Sequence, residues 1–248
     1  MPIFIFLLLS LAGMQAVYAK PIPSTVTLAA TDWCPYTCEN QTNNNPGIVH
    51  EYLSEVLQQS NIKLNIEYYP WHESIKKAQL GEVDGLLTAV VEEAPSLYFS
   101  TVPTYNYQVC FITRSNSNWI YKGTSSLNKI VLGSIKGYGY DDEIDQFIKY
   151  NSEKPNMKIV DSGGLEQFNK MLFENKIDAY LDDSRVVLWA LRDSKRKVKL
   201  SGCLKRKPFY LAVNPNLPWA NEFIALINKS LSDPINLQLL NSIKQNYR

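Results

Sequence analysis

The sequence predicts an α/β fold of two lobes, joined by two crossing strands and enclosing a cleft. Three observations carry this. Strand-like and helix-like patterns alternate almost from the start, the mark of parallel sheets covered by helices. The alternation runs through two separate series that share no sequence repeat. No Gly/Ser-rich tether separates the series, so motion between them has to bend the connecting strands themselves.

Taken in order, Val26 to Ala30 reads as a first strand. After an Asn-rich loop ending in Pro46 and Gly47, residues Ile48, Tyr52, Leu53, Val56 and Leu57 recur on one helical face. Leu64, Ile66 and Tyr68 alternate as a second strand, Trp71 to Leu80 forms a helix stopped by Gly81, and Asp84 to Val90 is an apolar third strand. The second series follows the aromatic segment Tyr105 to Ile112. It reads as strand Lys129 to Ile135, helix Asp141 to Tyr150, strand Met157 to Val160, a helix marked by Leu165, Phe168 and Leu172, strand Ile177 to Leu181, and a helix from Ser184 to Asp193. Val198 to Cys203 and Phe209 to Val213 are strands, and two amphipathic stretches, Trp219 to Leu231 and Ile235 to Tyr247, end the chain. The crossings fall near Pro103 to Phe111 and near Gly202 to Phe209. One lobe then comprises residues 20–108 and 204–248, and the other residues 109–203.

Length and composition set the outer limits. Residues 1–19 form an apolar run closed by Val17, Tyr18 and Ala19, which fits a cleaved signal peptide and an exported protein. The remaining chain is long enough for one large domain or for two of about 100 residues each. With 25 Lys and Arg against 24 Asp and Glu, no basic field points to nucleic acid. The cluster Lys195, Arg196, Lys197 and Lys199 reads as a solvated helix end. In an exported chain, Cys34, Cys38, Cys110 and Cys203 point to disulfides, for which three pairings exist. Cys34 and Cys38 are near enough for a local bridge, which leaves Cys110 for Cys203 on the adjacent crossing strand. His50 and His72 have no ligand spacing with the cysteines, so neither a metal nor a cofactor is expected.

The residues as a set resemble the extracellular solute-binding proteins of family 3, the amino-acid-type periplasmic binding proteins of ABC importers. The markers are Trp33, Cys34, Pro35 and Tyr36 after the first strand, Pro46 to Val49 opening a helix, Pro70 with Trp71, Gly81 with Asp84 and Gly85, Leu97 to Ser100 with Pro103, Gly133 to Gly137, and Lys176 to Ala179 leading to Asp183. Order and spacing carry the resemblance, since any one marker occurs by chance. It implies a type II periplasmic-binding-protein fold, a periplasmic monomer, a small-molecule ligand held between the lobes and a membrane permease as partner.

Ligands of open α/β sheets sit beyond the carboxyl ends of the strands. Trp33 and Tyr36 follow the first strand, Trp71 the second, and Thr88 to Glu92 end the third, so these are the expected contacts from the first lobe, with Tyr105 from the crossing. Aromatic faces there stack on a ligand or hold a cation. In the second lobe, Tyr138 and Gly139 lie in a Gly137 to Tyr140 turn before a helix, where backbone N–H groups favour an anionic or acceptor group. The resemblance places a ligand's carboxylate there, and a ligand's amino group at Asp183; if the strand continues that far, its alternation points Asp182 the other way, and either aspartate is also placed to cap the following helix. One departure is informative. Amino-acid binders of the family carry an Arg shortly after the third strand, and here Thr88 to Ser96 holds no Arg or Lys. Glu92 or Glu93 with Asp183 would favour an amine-bearing or polyhydroxy solute. The competing classes are an enzyme of dehydratase type on the same fold and a sensor that docks on a membrane receptor. No Gly-x-Ser-x-Gly, His-Glu-x-x-His or phosphate-loop motif supports the first.

Overall fold

The computed structural model describes residues 20–39, 45–160 and 164–247. The expected signal peptide, residues 1–19, lies outside them. The elements run β1 (Thr25–Ala30), α1 (Ile48–Gln58), β2 (Lys63–Tyr68), α2 (Trp71–Leu80), β3 (Gly85–Ala89), β4 (Tyr98–Phe99), β5 (Tyr105–Tyr107) and β6 (Val109–Arg114). A 3₁₀ turn at Thr124–Lys129 precedes β7 (Leu132–Ile135), α3 (Asp142–Asn151), β8 (Met157–Val160), α4 (Leu165–Phe173), β9 (Ala179–Asp183), α5 (Ser184–Ala190) and β10 (Val198–Cys203). Strand β11 (Lys207–Val213) and helices α6 (Ala220–Leu231) and α7 (Pro234–Ile243) complete the chain, followed by a 3₁₀ turn at Lys244–Tyr247.

Two sheets result, as the two series predict. The first has the order β2-β1-β3-β11-β4, with β5 also paired to β11, and the second β10-β6-β9-β7-β8. Within each, three parallel strands (β1 to β3, and β7 to β9) are joined by helical crossovers, and the strand that crosses between sheets pairs antiparallel. All five residues of β3 are buried, which explains why its sequence is apolar but for Thr88. Helix α1 turns Ile48, Val49, Tyr52, Leu53, Val56 and Leu57 inward, the face its periodicity marks. The chain returns to the first sheet at its end, where the Tyr247 hydroxyl donates to Glu51 at 2.8 Å and accepts from Gly47 N at 3.0 Å.

The crossings are two and lie side by side. The aromatic segment is not one strand. It breaks at Gln108 into β5, which belongs to the first sheet, and β6, which belongs to the second. Gln108 is held on both sides of the break, its N–H donating to Asp183 at 2.7 Å and its side-chain amide to Leu204 O at 3.1 Å. Leu204 N donates in turn to Val109 O at 2.9 Å, so one crossing braces the other. Cys110 and Cys203 are register partners on β6 and β10 and are bridged, as are Cys34 and Cys38.

Three local expectations shift. The strand expected from Lys129 starts only at Leu132, because residues 124–129 close a 3₁₀ turn that buries Leu127. The strand expected at Ile177 to Leu181 moves two residues on, since Asp178 is drawn off to Val131 N (2.9 Å) and Arg114 (3.3 Å), and pairing with β6 runs from Ala179 to Asp183. Helix α5 ends at Ala190, so Lys195, Arg196 and Lys197 form the turn into β10 and Lys199 lies in that strand, rather than at a helix end.

The start of α1 explains one glycine. Gly47 has φ +106° and supplies no side-chain cap; the first helical N–H groups instead donate to Pro35 O and Tyr36 O, at 2.7 and 2.9 Å. A Cβ on Gly47 would lie 2.4 Å from Tyr36 O. Gly47→Ala therefore strains the backbone and pushes the disulfide loop off the helix. We expect an unfolding free energy lower by about 1–3 kcal/mol from the backbone conformation alone, read from the urea midpoint. An unchanged midpoint would refute this account.

Candidate functional site

A cavity of about 50 Å³ lies between the two sheets, beyond the carboxyl ends of β1, β3, β7 and β9. A single water needs roughly 10–15 Å³ on this measure, so the cavity has room for a few waters. The first lobe contributes Thr31, Trp33, Trp71, Thr88, Val90 and Glu93; the crossings Tyr107, Val109 and Phe209; the second lobe Tyr138, Gly139, Tyr140, Asp182 and Asp183. Among the described residues lining it there is no Lys, Arg or His.

Glu93 spans the gap. Its Oε1 accepts from Gly139 N at 2.6 Å and its Oε2 from the Trp71 indole N–H at 3.0 Å, so donors from opposite lobes meet on one carboxylate. Burial of the carboxyl pushes it up to about 7, and these two bonds oppose the rise only in part. Glu92, the acid expected at the site, is exposed and lies off the cavity wall. The turn after β3 rotates its neighbour inward instead.

The two aspartates divide their work, and Asp182 departs from its expected direction. Asp183 caps α5, its Oδ1 accepting from Arg185 N (2.9 Å), Val186 N (3.0 Å) and the Tyr36 hydroxyl (3.2 Å), and its Oδ2 accepts from Gln108 N (2.7 Å). Both oxygens are engaged in holding the crossing to the helix. Asp182, expected to point away, is fully enclosed and accepts from Asp183 N at 2.7 Å. Desolvation pushes its carboxyl up to about 7. The Trp33 indole N–H is buried beside it without a hydrogen bond of good geometry among the described residues.

Of the other expected residues, Trp33, Trp71, Thr88, Tyr138, Gly139 and Asp183 come together around the cavity. Tyr36 and Tyr105 do not. They line a broader groove of about 840 Å³ on the other side of the crossings, beside Arg185, Arg206 and Lys244. Tyr107, Tyr140 and Phe209 are cavity residues the sequence did not single out. The first and last sit on crossing strands, where the aromatic run around Tyr105 is the one available signal. Trp33 packs its ring against Tyr36, Tyr107 and Phe209 at centroid distances of 4.6, 5.8 and 5.7 Å, so the cavity floor is one aromatic cluster.

Residues 26–245 match the family model described as bacterial extracellular solute-binding proteins, family 3. The chain belongs to that family. An ancestral arginine-binding protein bound to arginine is similar in structure, with 17% identity, a TM-score of 0.75, and 91% of this chain and 98% of that one covered. So is an amino acid ABC transporter substrate-binding protein from Streptococcus pneumoniae bound to L-arginine (14% identity, TM-score 0.69, 90% and 94% covered). A histidine kinase sensor domain with similarity to periplasmic binding proteins matches at 14% identity and a TM-score of 0.73, with 90% and 95% covered. At such identities the likeness speaks for the two-lobed fold alone. No curated protein matches the chain. Among the described residues no helix is long and apolar enough to cross a membrane.

Proposed function

We propose that this family member captures a small amine-bearing solute between its lobes, performs no chemistry on it, and delivers it in the periplasm to the permease of an ABC importer. Residues 20–108 and 204–248 form one lobe in this reading and 109–203 the other, and the protein acts as a monomer. One observation carries the ligand class: a cavity walled by Trp33, Trp71, Tyr107, Tyr138 and Phe209, with the carboxyls of Glu93 and Asp182 and no cationic side chain among its described lining residues. Each well-placed ring is worth about 0.5–2 kcal/mol to a cation, and two desolvated carboxyls lack a counter-charge that the solute would bring. The solved structures with bound arginine support a cationic guest on this fold.

Because Glu93 and Asp182 come from opposite lobes, a solute lodged between them contacts both and favours the closed form. Only that differential affinity shifts the population. Calorimetric titration with a panel of amines, α-amino acids and neutral sugars tests the reading. The expected result is tight binding among the amines, with the solute recovered unchanged. Tighter binding of a simple α-amino acid than of any amine would reject it.

A further inference from the structure

We propose that Glu93 is a built-in anion that fills the seat a ligand carboxylate would take, and so restricts the cavity to organic cations that carry no carboxylate. The inference rests on the amine reading above and narrows it to a class.

Two N–H donors define the seat: Gly139 N from the second lobe and the Trp71 indole from the first, both aimed at the Glu93 carboxylate at 2.6 and 3.0 Å. Backbone and indole N–H groups have no acceptor character, so such a pair converging from two walls selects for a group with two acceptor oxygens and binds a carboxylate most strongly. Here the anion is supplied by the chain itself. The fit is close, since a Cβ built on Gly139 would lie 3.2 Å from Glu93 Oε1. A ligand carboxylate entering the same cavity finds both donors occupied, meets Glu93 and Asp182 as like charges once these are ionised, and finds no Lys, Arg or His among the described lining residues. Repulsion and unpaired charge together exclude it. The remaining wall is aromatic (Trp33, Tyr107, Tyr138, Phe209), which suits a positively charged group and has nothing to offer a second negative one. Glu93 is thus a specificity-determining residue: it selects among amines by what it denies them.

The test is a gain of function. In Glu93→Ala the seat is vacated and both donors remain, so the variant should take up a free carboxylate. We expect calorimetric titration with propionate to show binding on the order of 10- to 100-fold tighter than to the wild type, the worth of a charge-assisted pair of hydrogen bonds. Glu93→Gln keeps the seat filled while removing the charge and should show no comparable gain. Glu93→Ser takes the place of the alanine variant where that fails to fold. A second readout compares an amine with its α-carboxylated counterpart: the wild-type preference for the amine should shrink by a similar factor in Glu93→Ala. Absence of any gain in the vacated variants, or an equal gain in Glu93→Gln, overturns the proposal. Failure of the two ideas is separable. A wild type that binds no amine, beside a Glu93→Ala variant that gains propionate, sinks the amine reading and leaves the seat. Amine binding without the gain does the reverse.

Discussion

Titrations of an amine into the wild-type protein at pH 5.5 and at pH 8 should differ by about 30-fold in Kd, the tighter value at the higher pH, if one carboxyl with a pKa near 7 has to ionise. The sign follows from the cavity. Glu93 and Asp182 are each pushed to about 7, from ordinary values of 4.5 and 3.8, chiefly by removal from water. Glu93 faces the N–H groups of Trp71 and Gly139 and the acids Asp145 and Glu92; Asp182 faces Asp183 and the Trp33 indole. Neither meets a cationic side chain in the cavity, so below about pH 7 both hold protons in the ligand-free protein. A bound cation lowers the pKa of the carboxyl it pairs with and expels that proton. Affinity therefore climbs through pH 6 and 7 and levels off above about pH 8. Stability without ligand runs the other way. Between the ordinary carboxylate range and about pH 7 the folded form binds more protons than the unfolded chain, so the free energy of unfolding falls as the pH rises. The thermal shift produced by a saturating amine should accordingly widen with pH. Asp182→Asn is expected to flatten part of the binding profile. A Kd that stays constant from pH 5.5 to pH 8 in the wild type would show that neither carboxyl answers the solute's charge.

The architecture was legible because periodicity survives where a wall is buried. The apolar run of β3 and the inward face of α1 follow directly from which side meets the core. The crossings were legible from position, and with them the pairing of Cys110 and Cys203. The site was legible only to within a residue. Glu92 and Glu93 lie in a turn, where neither the two-residue nor the 3.6-residue period decides which side chain turns inward. Asp182 and Asp183 lie where β9 ends and α5 begins. There the demand of a helix for a capping acceptor takes Asp183, and the strand's last inward position falls to Asp182. Tyr105 and Tyr107 are separated by one residue on β5, yet only Tyr107, next to the point where the chain changes sheets at Gln108, reaches the cavity, while both line the groove. In each case a side chain's direction was settled by a tertiary contact of the backbone, which the pattern of residue types does not encode.

The two disulfides should prove unequal in opposite senses for stability and for binding. Cys110–Cys203 closes a loop with a sequence separation of 93, which holds the whole second sheet, while Cys34–Cys38 closes one with a separation of 4. On the chain-entropy account the long closure contributes about 4–5 kcal/mol and the short one about 2 kcal/mol, both through the unfolded chain. In the folded state β6 and β10 stay joined without the bond, by their ladder and by the Leu204 N to Val109 O and Gln108 to Leu204 O hydrogen bonds. The double variant Cys110→Ser with Cys203→Ser should thus lose about 4–5 kcal/mol in urea denaturation and keep its ligand affinity within a few-fold. Cys34→Ser with Cys38→Ser should lose less stability and more affinity. Its loop carries Trp33 into the cavity, supplies the Pro35 and Tyr36 carbonyls that complete the start of α1, and sends the Tyr36 hydroxyl to Asp183. Loosening it disturbs the aromatic floor and the crossing together. Denaturation curves and calorimetry on the two double variants decide the matter: if the short-loop variant proves the less stable, or the long-loop variant the weaker binder, the division of labour assigned to the bridges is wrong.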